Sequence, residues 1–194
     1  LSLYQLTIEN GTAFGDRYAV GKLRGLPDED LGADMFDLTQ DLCGAAGMPA
    51  YEVSNHARDG AHSRHNLIYW RYGDYLGIGP GAHGRLTHAG RRSATICYSN
   101  PKRWLDEVAK NNAEQSREAL TRDDEATEFL LMGLRLREGI DPSRYALLAG
   151  KPLDQASVEH LTTIGMICTD RGRLTVTDQG FRVLNSVIAE LLST

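Results

Sequence analysis

His65-Asn66-Leu67-Ile68-Tyr69-Trp70-Arg71-Tyr72-Gly73-Asp74-Tyr75-Leu76-Gly77-Ile78-Gly79-Pro80-Gly81-Ala82-His83-Gly84 packs two histidines, three tyrosines, a tryptophan and five glycines into twenty residues. Glycine and proline at this density mark backbone that bends sharply or approaches another group closely. Large amphipathic rings beside such backbone suit a flat ligand with polar edges, or a buried corner of the fold. Gly79-Pro80-Gly81-Ala82-His83-Gly84 has the form G-x-G-x-x-G. A dinucleotide loop needs a helix directly after the glycines and an acidic residue about 20 positions on. Here a strand pattern follows, and Trp104 stands at that distance. The glycines of 77–84 are therefore expected to make a tight backbone crossing.

On the N-terminal side, Leu1–Ile8 is apolar on both faces, the pattern of a strand inside a parallel sheet. Parallel pairing needs a long crossover, and residues 28–47 supply one. Asp28-Glu29-Asp30 follow Pro27 as an acidic helix start, and Leu31, Met35, Leu38 and Leu42 recur at helical spacing before Gly47. Met48–Ser54 reads as the second strand. A chain that opens inside a strand reads as the later part of something longer. The bare edge of that strand would favour self-association unless another chain or a local segment covers it. Residues 55–64 read as a polar loop. Its His56, His62 and Asp59, with His65 beyond, lack the regular spacing of a metal site, so His56 and His62 are expected to be exposed or hydrogen-bonded. His65 has two readings. With Tyr69 and Trp70 following, it suits an axial haem ligand flanked by packing rings, or a buried histidine bonded to a carbonyl beneath an aromatic lid.

On the C-terminal side, residues 83–98 are expected to form a hairpin turning at 87–92, after which helices dominate. They are expected from Asn100-Pro101, from a near capping box at Thr121–Asp124 running to Gly139, from Asp141-Pro142 to Leu148, and over 154–164. Two short strands, 166–169 and 174–177, precede a last helix over 180–192. This order describes a winged-helix-like module. Its expected recognition helix, 154–164, has no lysine or arginine, so the module reads as structural or partner-binding rather than as a reader of nucleic acid.

The 194 residues carry a formal charge of -5, which also argues against non-specific nucleic-acid binding. No apolar run approaches the about 20 residues of a transmembrane segment. Cys43, Cys97 and Cys168 are far apart and odd in number, which argues against a disulfide framework and fits a reducing, cytoplasmic setting.

Three segments resemble one family, the oxygen-independent coproporphyrinogen III oxidase-like proteins of the radical SAM superfamily, and most closely its HemW branch. Leu1–Thr12 resembles a late barrel strand and its exit loop. Tyr51-Glu52-Val53-Ser54-Asn55 followed by Ser63–Trp70 resembles the HNxxYW signature of that branch. Tyr75–Gly84 resembles the glycine-rich segment after it. The resemblance implies an α/β fold, α+β overall. Residues 1–98 would be the end of a partial (β/α)6 barrel with the HNxxYW and Gly-rich segments, and residues 99–194 a helical, winged-helix-like C-terminal domain. It implies a [4Fe–4S] cluster on a C-x-x-x-C-x-x-C loop and bound S-adenosylmethionine in the complete protein. The three cysteines present do not have that spacing, so this chain alone is expected to have no radical chemistry. Gln5 would face S-adenosylmethionine. His65 would contact haem, as a possible iron ligand, with Tyr69 and Trp70 packing beside it. The implied function is a haem chaperone that delivers haem to acceptor proteins. The alternatives are a true coproporphyrinogen dehydrogenase acting on porphyrinogen propionates, and a partner-binding winged-helix scaffold.

Overall fold

A computed structural model describes residues 1–4 and 8–193. They form a mixed α+β chain in two compact units, Leu1–His62 and Ser63–Thr194.

The first unit holds two helices. Helix α1 (Ala13–Ala19) has no apolar stripe to announce it and rests on its cap, the Thr12 side chain accepting from the Gly15 N–H. Helix α2 (Glu29–Ala45) begins where Asp28 accepts from the Leu31 N–H. The Leu31, Met35, Leu38 and Leu42 stripe is solvent-exposed over its whole length, and Cys43 is the buried side chain of this helix. The expected parallel strand pair is not what forms. Ser2 bridges Asn55 and Ala50 bridges His56, both antiparallel. The reason is a tight reversal within 51–55, where the Tyr51 N–H donates to the Asn55 carbonyl and Glu52 Oε2 accepts from the Ser54 N–H. The chain doubles back and offers residues 54–56 to the N-terminus, so the Leu3 N–H reaches the Ser54 carbonyl at 2.9 Å. Residues 5–7, the middle of the expected first strand, lie outside the described residues.

The second unit opens with α3 (Arg64–Trp70), followed by strands β1 (His83–His88) and β2 (Arg91–Cys97), helix α4 (Pro101–Val108) and strand β3 (Glu114–Ala119). These strands form one antiparallel sheet in the order β1-β2-β3. The β1–β2 turn is Ala89-Gly90, both at positive φ, the geometry of a two-residue hairpin. The line expected between domains at 98/99 falls inside this segment, between β2 and α4.

The remainder runs through α5 (Arg122–Gly133), α6 (Pro142–Ala149), α7 (Gln155–Thr163), the hairpin β4 (Ile167–Asp170) and β5 (Arg173–Val176), α8 (Asp178–Arg182) and α9 (Leu184–Leu192). Helix α5 ends at Gly133 instead of Gly139, because the chain turns back so that Ile140 bridges Leu174. A Cβ at Gly133 would run into the Ile140 side chain, which is why glycine stands there. The single last helix expected over 180–192 is broken at Val183 into α8 and α9. Leu130, Leu134, Ile140, Leu174, Phe181 and Val187 bury their side chains in the core of this region. Each contributes about 1.5–3 kcal/mol.

The cap of α5 is a full capping box: Thr121 Oγ1 accepts from the Asp124 N–H, and the Asp124 carboxylate accepts from the Thr121 N–H. Hydrogen bonds from the Thr121 hydroxyl and then its N–H hold the Asp124 carboxyl below the usual carboxylate range. A depressed folded pKa means stability that is present above the unfolded value of about 4 and lost as pH falls through the lower folded value. The Asp124→Asn variant should therefore melt lower at neutral pH and show a flatter dependence of Tm on pH below about 4, read by circular dichroism. An unchanged slope would show that the box is not the titrating element.

Candidate functional site

The candidate site is built around α3 and the chain that leaves it. Ser63 starts the helix by accepting from the Asn66 N–H. His65, Tyr69 and Trp70 all lie on this helix, so the HNxxYW segment, for which the sequence showed no helical period, is helical. The His65 and Tyr69 rings meet edge-on at 5.8 Å, Tyr69 and Trp70 are tilted at 5.0 Å, and Tyr75 meets Tyr69 edge-on at 6.1 Å. These aromatic residues thus form a connected row. Tyr69, Trp70 and Tyr75 are part-buried and His65 is exposed at one end. The structure brings His65, Tyr69 and Trp70 together and rejects the buried-histidine reading of His65. The Trp70 Nε1 is buried without a hydrogen-bond partner.

What holds this row was not visible in the sequence. The chain leaves α3 through Tyr72, which takes a left-handed backbone at φ +56, a strained choice for a bulky residue. The Arg144 guanidinium donates to the Arg71 carbonyl at 2.8 Å and to the Tyr72 carbonyl at 3.0 Å, closing the end of the helix where its dipole favours a cation. Arg92 lies over the Tyr72 ring at 3.9 Å and donates to Asp74 at 2.6 Å and the Gly73 carbonyl at 2.9 Å. The Tyr72 hydroxyl donates to Glu128, which also accepts a forked pair of bonds from Arg85. Burial and the Glu128 charge push the Tyr72 hydroxyl well above its ordinary pKa, so it stays a donor at all ordinary pH. Arg71 makes a forked pair with Glu138. The partners are separated by 18 to 73 residues in the chain, beyond any local pattern.

Beyond Tyr72 the chain joins the sheet where Tyr75 bridges Arg85. The crossing expected from the glycines follows. A Cβ on Gly84 would lie 2.7 Å from the Gly77 nitrogen and 2.6 Å from Thr95 Oγ1, and one on Gly77 would lie 2.7 Å from the His83 carbonyl. The Cys97 thiol donates to the Gly77 carbonyl at 3.4 Å and the Cys97 N–H to Ala82. Ile78 is exposed on the loop between.

The other expected residues lie elsewhere. Gln5 is outside the described residues. His62 stacks on Tyr51 at 4.5 Å, and His56 is buried, its backbone N–H donating to the Leu1 carbonyl. Among the described residues no group of three or more His, Cys, Asp or Glu side chains could hold a metal ion, and no helix is long and apolar enough to cross a membrane.

Residues 120–183 match the HemN C-terminal domain family. The chain is 36% identical to the mouse radical S-adenosyl methionine domain-containing protein 1, mitochondrial, covering 99% of this chain and 46% of that protein. It is 35% identical to the heme chaperone HemW of Escherichia coli K12, over all of this chain and 50% of the relative. The Lactococcus lactis heme chaperone HemW is 32% identical over 99% of this chain and 50% of its own length. The chain thus spans about half the length of the curated relatives it matches. Among solved structures it is similar to the coproporphyrinogen III oxidase HemN of Escherichia coli, a radical SAM enzyme, with a TM-score of 0.62 and 18% identity over 90% of this chain and 44% of that one.

Two substitutions, with a third as a control, test this frame. Gly84→Ala should cost about 1–3 kcal/mol in urea unfolding, whereas Gly44→Ala, at an open position in α2, should be neutral or stabilising. Glu128→Ala leaves Arg85 and the Tyr72 hydroxyl without their shared acceptor and should cost about 2–3 kcal/mol, with loss of the near-UV signal of the aromatic row. A full near-UV signal would show that Glu128 does not support the row.

Proposed function

The chain belongs to the HemN/HemW-like family, matching its C-terminal part, and from that premise we propose that it is the haem-contacting part of a HemW-type haem chaperone. One observation carries the reading: an exposed imidazole, His65, stands at the end of an aromatic row on a helix whose far end is clamped. Neutral imidazole is a common axial ligand of haem iron, and edge-on and tilted rings beside it present apolar surface to a macrocycle. Tyr69 and Trp70 would pack on the porphyrin and His65 would reach the iron. Acceptor proteins that receive the haem would be the partners, in a cytoplasmic setting.

A whole protein of this family would also hold a [4Fe–4S] cluster and S-adenosylmethionine. The residues described here do not fit the cluster. Cys43 and Cys97 are buried, and the Cys97 thiol is committed to the Gly77 carbonyl. Gln5 remains our candidate for a residue facing S-adenosylmethionine.

The test is a haem titration of the chain and of His65→Ala. The expected result is a shifted Soret band that the variant loses, with affinity falling at least about tenfold, which is about 1.4 kcal/mol. Identical spectra and affinities for the two proteins would remove the ligand role. Turnover of coproporphyrinogen by the full-length protein reconstituted with its cluster would point instead to the dehydrogenase.

A further inference from the structure

Helix α3 turns one face to solvent, and the side chains on that face are unusual for a solvated helix. Arg64, His65, Ile68 and Arg71 are exposed, while Asn66, Leu67, Tyr69 and Trp70 are part-buried. At about 100° per residue, the four exposed positions fall within an arc of about 120°. Arg71 is already held by Glu138 at 2.7 Å. Arg64 belongs to none of the ion pairs among the described residues. No carboxylate occurs from Gly60 to Gly73, a stretch with two arginines and two histidines, although the chain as a whole carries a charge of -5. The exposed Ile68, at 44%, lies one turn from both Arg64 and His65.

This face therefore offers three different contacts side by side: an imidazole, an aliphatic surface and an unpaired guanidinium. A simple anion would use the guanidinium alone, and an apolar ligand would use Ile68 alone. A flat apolar molecule carrying carboxylates on one edge uses all three. Haem is such a molecule, with its iron at the centre of the ring and two propionates on one edge. We propose that Arg64 is the propionate-binding residue of this site, pairing with a carboxylate of the porphyrin whose iron His65 contacts. The proposal rests on the haem reading above and adds the side chain that orients the ring. Arginine suits the role because its planar fork matches a carboxylate with two parallel N–H···O bonds, which lysine cannot reproduce. Its neighbour in sequence projects about 100° around the helix, so the two side chains can address the edge and the centre of one ring without competing.

The experiment compares haem with its dimethyl ester, in which both propionates are blocked and the ring and iron are kept. Both are titrated into the wild-type chain and into Arg64→Gln, Arg64→Lys and His65→Ala, with far-UV circular dichroism confirming the fold of each. Wild type should bind haem about five- to tenfold more tightly than the ester. Added salt should shrink that ratio. Arg64→Gln should bind haem and ester alike, with the wild-type Soret position, and Arg64→Lys should recover part of the preference. If Arg64→Gln prefers haem over the ester as strongly as wild type does, the assignment of Arg64 falls while the role of His65 stands. If wild type binds neither compound, the haem reading falls and this assignment falls with it.

Discussion

The left-handed backbone at Tyr72 is the constraint on which the second unit turns. A helix that ends in a bulky residue at positive φ is strained, and its last carbonyls have no helical partner. Arg144 satisfies the carbonyls of Arg71 and Tyr72, the two residues that follow the helix, and Arg92 covers the ring of the strained residue. Bringing two guanidiniums into one part-buried corner is itself unfavourable. Burial and then the charge of Arg92 push the Arg144 pKa below its ordinary value. What offsets this is a set of oriented negative partners: carbonyl dipoles, the Asp74 carboxylate, and the faces of Tyr72 and Phe129. The corner is therefore over-determined, as a strained residue requires.

Two consequences follow for the candidate site. With the C-terminal end of α3 fixed, the orientation of Tyr69 and Trp70 is set by covalent geometry and by Tyr75, which the Arg85 bridge ties to the sheet. His65, at the other end, contacts the row through the edge of Tyr69. The row thus has a base held from two sides and an exposed imidazole at its end. The Gly77–Gly84 crossing works in the same direction, since side chains there would force apart the loop and strand that the Cys97 contacts hold together.

How much of this was legible in the sequence depends on the range of the cause. Helix starts are local events, and Asp28, Asn100-Pro101, Thr121, Asp141-Pro142 and Asp154 each cap the helix expected of them. The two hairpins were equally local, resting on Ala89-Gly90 and Arg171-Gly172. The crossing at Gly77 and Gly84 was readable because only a missing Cβ allows it. Strand β3 was missed, since Glu114–Ala119 alternates no apolar residue and is a strand through its pairing with β2. Helix α3 was missed because seven residues of mixed character carry no period, so its signature was recognisable by resemblance before it was readable as a helix. The antiparallel pairing of residues 1–3 depended on the reversal at 51–55, whose hydrogen bonds no apolar pattern encodes.

The contrast between the two units explains why the candidate site is found on the second. In α2 the four residues at core spacing are each more than half exposed, so the about 1.5–3 kcal/mol that burial of each would contribute is not realised within the first unit. That helix stands on its caps and on part of one face, and such a helix cannot hold a side chain to within a few tenths of an ångström. Helices α5 and α9 do bury their apolar faces, in contact with each other. They lend that stability to α3 through Glu128, Phe129 and their partners. A binding residue needs a helix that does not move when the ligand arrives, with its own side chain still free to reach. His65 and Arg64 are exposed because the forces fixing α3 act on its far end and on its inner face, and leave the outer face to solvent.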